Sequence, residues 1–123
     1  MRFRVRAGNY AVCRVAPDDP VPAWARGRFL SVTRTRDELS IICAARAVPA
    51  AVQAARGWRL IELVGPFSLT ATGVMAAVAR PLASARISVL AIATYDTDYF
   101  LVPRERLEEA LMVLAQAGHV RVR

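Results

Sequence analysis

The stretch from Ile87 to Val102, ISVLAIATYDTDYFLV, constrains the fold of this chain more than any other. Two apolar runs, Ser88–Thr94 and Tyr99–Val102, are separated only by a short polar turn built around Asp96, Thr97 and Asp98. So few residues cannot make a crossover, so the two runs predict an antiparallel hairpin. Upstream, Trp58–Val64 (WRLIELV) reads as a strand bracketed by the breakers Gly57 and Gly65-Pro66. Between strand and hairpin, Gly73–Ala85 carries Val74, Val78 and Leu82 at helical spacing, with Pro81 expected to kink the helix or start a new turn. Downstream, Pro103 suits the first position of a second helix, and Leu107, Leu111 and Leu114 form its apolar face. Glu105, Glu108 and Glu109 lie toward its positive end, Gly118 marks its stop, and His119–Arg123 alternates as a last strand. The order is β-α-β-β-α-β, an α+β ferredoxin-like unit.

The first half reads as an abbreviated version of the same rhythm. Arg2–Arg6 and Tyr10–Val15 are expected strands on either side of Gly8-Asn9. Three prolines limit PDDPVPAW to a short turn or helix. Phe29–Thr35 and Leu39–Ala44 predict a hairpin around Arg36-Asp37, and the alanine-rich Val48–Arg56 predicts a short helix. The expected domains are therefore an abbreviated lobe over residues 1–56 and a βαββαβ domain over 57–123.

Composition narrows the function classes. A 55% hydrophobic content rules out a disordered chain, and no apolar run approaches the roughly 18 residues needed to span a bilayer. MRFRVR alternates charge with apolar residues and lacks the apolar core of a signal peptide, so the expected location is cytoplasmic, away from membranes. The net charge of +7 invites a nucleic-acid partner. Every basic residue is an arginine, however, and most are dispersed, which argues for a solvated basic surface instead. The exception is Arg2, Arg4 and Arg6, which share one face of a strand and form a modest patch for anions.

Cys13 and Cys43 are isolated within apolar runs, and His119 is the single histidine. Buried free thiols are expected, with no metal site and no cofactor. No nucleophile–base constellation is present, so the chain is not expected to be an enzyme.

The chemistry concentrates at two places. GPFSLTATG runs into the first helix, whose opening turn leaves about four N–H groups unpaired at the positive end of its dipole. Gly73 lets a carboxylate reach those groups, and Thr70 or Thr72 can add a hydroxyl; Thr72 can equally cap the helix. At the hairpin turn, Asp96 and Asp98 can accept from an ammonium or a basic side chain. Asp96 can instead form the turn through its own side chain. A cradle of N–H groups beside two carboxylates suits a free amino acid.

Several segments together resemble an ACT domain. They are FLSVTRTRDELSIIC (Phe29–Cys43), the stretch from Gly57 to Pro103 that contains GPFSLTATG, PLASARISV and ATYDTDYFLVP, and the helix after it. The branch most similar is that of small bacterial ACT proteins and the cytosolic arginine sensors of animals. The resemblance implies a regulatory module that binds an amino acid or similar metabolite between two ACT units, as a homodimer. It implies ligand contacts at Thr70, Thr72, Gly73 and Val74 in the loop and at Tyr95, Asp96 and Asp98 at the turn. The arginine sensors carry acidic residues just before the glycine, where this chain has Thr70, Ala71 and Thr72, which argues against arginine as the ligand. The alternatives are an RNA-binding module of the same topology, although no RNP1-like octapeptide is present, and a dimerisation domain without ligand.

Overall fold

In a computed structural model, all residues from Met1 to Arg123 are described. The chain divides into two compact units, Met1–Ala7 with Arg59–Arg123, and Gly8–Trp58.

The first unit contains β1 (Arg2–Val5), the second half of β5 (Ala54–Leu63), α1 (Val74–Ser84), β6 (Leu90–Ala93), β7 (Asp98–Pro103), α2 (Leu107–Gln116) and β8 (Val120–Arg121). Its sheet order is β8-β1-β5-β7-β6, with β6 and β7 forming the antiparallel hairpin expected from the DTD turn. From β5 onward the order of elements is βαββαβ, an α+β ferredoxin-like arrangement. The strand at residues 2–5, which the sequence placed with the N-terminal lobe, belongs here instead. It pairs antiparallel with β5 (Phe3 opposite Leu63, Val5 opposite Ile61) and parallel with β8. Its alternation explains why: Phe3 enters a core formed with Ile61, Leu63, Val78, Leu82, Phe100, Val102 and Leu114. That alternation turns Arg2 and Arg4 to the opposite face.

Helix α1 runs through Pro81 to Ser84. Proline has no N–H to offer the carbonyl of Ala77 four residues earlier. That carbonyl is bonded by the His119 ring, whose Nε2 donates to it at 2.9 Å. His119 thus replaces the missing helical hydrogen bond. At the other end, Arg106 donates to the carbonyls of Ala85 and Arg86 and pairs with Glu109 at 2.8 Å, tying α2 to the exit of α1. Pro103 does not open the second helix; it ends β7, and a 3-10 turn over Arg104–Arg106 leads into α2.

The second unit is built from β2 (Tyr10–Val15), β3 (Ser31–Arg34), β4 (Leu39–Ala44) and the first residues of β5. β4 lies between β3 and β2, and β2 pairs with β5. Ala11, Cys13, Leu39, Ile41 and Cys43 pack with Ala25 and Val48 into its core, with Trp24 against it. The segment 16–30 contains turns and no helix, as its prolines dictate.

The helix expected over Val48–Arg56 is absent. A 3-10 turn spans Ala45–Ala47, Val52 N–H bonds back to Pro49, and β5 has begun by Ala54. Pairing decides this: Ala54 and Ala55 sit opposite Cys13 and Val12, and no helix could offer those edges. Gly57, expected to break the strand, lies inside it at φ 84. The register steps from Tyr10–Trp58 to Val12–Ala55, one extra residue on β5, so the glycine supplies the left-handed conformation of a β-bulge.

Candidate functional site

The loop after β5 and the turn between β6 and β7 meet within the first unit. Phe67 N–H donates to the carbonyl of Asp96 at 2.7 Å, and Thr97 Oγ1 donates to the carbonyl of Leu63 at 2.8 Å. The approach is close enough to require glycine at position 65. A Cβ there would lie 2.8 Å from the Asp96 oxygen and 3.2 Å from Thr97 Cβ. Gly65 and Thr97 join the loop to the turn, a role that the sequence, which marked them only as a strand breaker and a turn residue, did not assign to them.

On the loop side, Thr70 is exposed and its Oγ1 lies 2.8 Å from Ser68 Oγ, within a small turn. Thr72 is exposed and does not cap the helix; the N-cap is Gly73, at φ 77, and no side chain bonds the helix start. Open space surrounds the position where a Gly73 side chain would stand. The first N–H groups of α1 therefore have no side-chain cap. Val74 packs against the helix-side core and anchors this first turn.

On the turn side, threonines rather than Asp96 close the chain. Thr94 Oγ1 donates to the Thr97 carbonyl at 2.9 Å, and Thr97 N–H bonds Thr94 Oγ1. The carboxylates of Asp96 and Asp98 make no hydrogen bond or ion pair within the chain, Asp96 being exposed and Asp98 half-buried at the start of β7. Tyr95 is 79% exposed, and Leu69 and Met75 nearby in the sequence of the loop and helix are also exposed.

A second polar cluster lies on the sheet face opposite the helices. Glu62, only 8% exposed, accepts from Arg6 at 2.7 Å and from Arg4 at 3.3 Å. Tyr99 also bonds it, and its phenol is pushed above the usual tyrosine range by burial first and then by the Glu62 charge and hydrogen bond. In the second unit, burial pushes the Cys13 thiol up to about 11 and raises Cys43 as well. Both are inert as nucleophiles near neutrality. No group of three His, Cys, Asp or Glu side chains is placed to hold a metal ion, and no helix is long and apolar enough to cross a membrane.

The βαββαβ unit is the ferredoxin-like fold of a regulatory-domain type. The chain belongs to the ACT domain family, whose model matches residues 53–116, more than half of the sequence. A second family model, for an N-terminal domain, matches residues 8–51. A crystal structure of an Agobacterium tumefaciens protein is 36% identical, covers 98% of this chain and 91% of its own, and superposes with a TM-score of 0.93. The regulatory subunit of aspartate kinase from Thermus thermophilus shares the fold at 15% identity, with a TM-score of 0.63 over 94% of this chain and 96% of that one. The human cytosolic arginine sensor for mTORC1 subunit 1 is 36% identical over 58 residues, which are 46% of this chain. The chain thus matches only 18% of the length of that curated relative.

Proposed function

We propose that this chain is a non-catalytic regulatory module that binds a free amino acid at the corner formed by the 65–74 loop and the 94–98 turn. The observation that carries this reading is the Phe67–Asp96 hydrogen bond, which joins the loop leading to an uncapped helix start to the turn that bears two unengaged carboxylates. The α-carboxylate lies on the N–H groups of Val74 and its neighbours, with the Thr72 hydroxyl beside them. Asp98, and Asp96 at the rim, accept from the α-ammonium. Leu69, Met75 and Tyr95 expose apolar surface that a second copy of the chain covers, completing the site and coupling occupancy to assembly as a homodimer. The names of the relatives, an arginine sensor and a kinase regulatory subunit, support a regulatory role.

The alternatives lack such support. A ligand-free dimerisation domain would have Thr72 and Asp98 bonded to each other or to local backbone, and neither is. An RNA-binding sheet needs free stacking aromatics; Phe100 is buried in the helix-side core and Tyr99 is held by Glu62.

Thermal-shift screening of the common amino acids tests the proposal. A ligand at about 100 times its Kd raises stability by about 2.7 kcal/mol, and Asp98→Asn should abolish the shift while leaving the unliganded Tm unchanged. No shift with any amino acid at millimolar concentration overturns it.

A further inference from the structure

We propose that the groove along β1 and β8 is a second site, which takes a compact ligand carrying several phosphate charges. The groove encloses about 530 Å³ and is lined by Arg4, Val5, Arg6, Arg121, Val122 and Arg123. Its volume falls in the range of small-ligand pockets, roughly 300–1,000 Å³. The strand pairing creates it: β1 and β8 run parallel, with Phe3 beside Arg121, so arginines from two separate stretches of sequence share one edge.

Charge makes it a site rather than a crease. Four arginines line it, and the one acidic side chain that reaches them, Glu62, is shared between Arg4 and Arg6. Arg4 Nε also donates to the main-chain oxygen of the final residue, Arg123, at 3.1 Å, which joins β1 to the segment after β8. The side chains of Arg121 and Arg123 have no acidic partner. Unneutralised like charges at this spacing attract a multivalent anion, and planar guanidiniums match phosphate oxygens two at a time.

The lining also says which anion. It contains no aromatic side chain on which a nucleobase could stack. Strand β8 is only two residues long, too short an edge to receive an added peptide strand by main-chain bonding. Affinity must therefore come from charge on a compact group. That group is an oligophosphate, either free or as consecutive phosphates of a nucleic-acid backbone. This site is separate from the Gly73 corner and does not depend on it.

Calorimetric titration of the full chain with tripolyphosphate, a short single-stranded oligonucleotide and an oligo-aspartate peptide tests the assignment. Tripolyphosphate is expected to bind, more weakly as salt rises. The double variant Arg121→Glu/Arg123→Glu, altered only at exposed positions, should lose at least about tenfold in affinity by that charge reversal while keeping the wild-type Tm. Glu62→Gln, which frees Arg4 and Arg6 from their countercharge, should bind more tightly. An oligonucleotide that binds more tightly than tripolyphosphate, and is lost in the same double variant, supports the site and names its phosphate source. Absence of tripolyphosphate binding at millimolar concentration, indifference to the double variant, or tighter binding of oligo-aspartate overturns the proposal. The response to amino acids is expected to be the same in the double variant, which separates failure here from failure at the Gly73 corner.

Discussion

Two acidic places on the same sheet are in opposite states. Glu62, in the middle of β5, is buried and shared by Arg4, Arg6 and Tyr99. Asp96 and Asp98, at the hairpin turn, hold no partner in the chain. A buried carboxylate is tolerated only when donors surround it, whereas an acid that stays wet costs little and remains free for another molecule. The first arrangement belongs to the stability of the unit; the second leaves two acids free, which is what the proposed amino-acid site requires.

Substitutions can break this contrast. Glu62→Ala is expected to cost most, about 2–3 kcal/mol, because two half-exposed guanidiniums and a phenol lose their acceptor; the shift of the urea midpoint measures it. Gly65→Ala should cost about 2 kcal/mol, since its Cβ meets backbone that cannot yield, and should also abolish the amino-acid response by displacing the turn. His119→Ala, which leaves the Ala77 carbonyl beneath Pro81 without a donor, should cost about 1 kcal/mol. Asp96→Ala and Asp98→Ala should change stability by less than about 0.5 kcal/mol; a larger loss in either would mean that these acids, like Glu62, support the fold.

Alkaline pH sharpens the same comparison. Tyr99 and Cys13 both titrate above their unfolded values in the folded chain, Cys13 near 11. The protonated forms are thus favoured by folding, and their contribution is fully present below about pH 9. It is lost as pH rises toward and past 11, because the unfolded chain gives up these protons first. A denaturation series from pH 8 to 11.5, about one helical melt per half unit, should show this decline. It should shrink in the double variant Tyr99→Phe/Cys13→Ala, with Cys43 supplying the remainder, and persist in full in Asp98→Asn.

Much of the fold was legible because it rests on local patterns. The DTD hairpin, the amphipathic repeat of Val74, Val78 and Leu82, and the break at Gly65-Pro66 each announce themselves within a few residues. Val48–Arg56 misled because alanine favours a helix when nothing else acts, and here an open edge of β2 claimed Ala54 and Ala55 as strand. Gly57 misled for a related reason, since a bulge and a break demand the same left-handed conformation. At the candidate site, Gly73 and the two aspartates could be named from spacing and residue type. Thr97 and Gly65 could not, because their importance lies in contacts across 34 residues of sequence and a gap too narrow for a methyl group.

Sequence alone determined most of the segments that bury an apolar face, where the chain turns, and which residues carry charge, because those properties depend on near neighbours. Tertiary structure alone decided that the first strand joins the last, that a distant histidine completes the hydrogen bonding of a proline-bearing helix, and that arginines from both ends of the chain line one groove. Each of these depends on pairing between segments far apart in sequence, and a local pattern specifies how a strand alternates without specifying which edge it will meet.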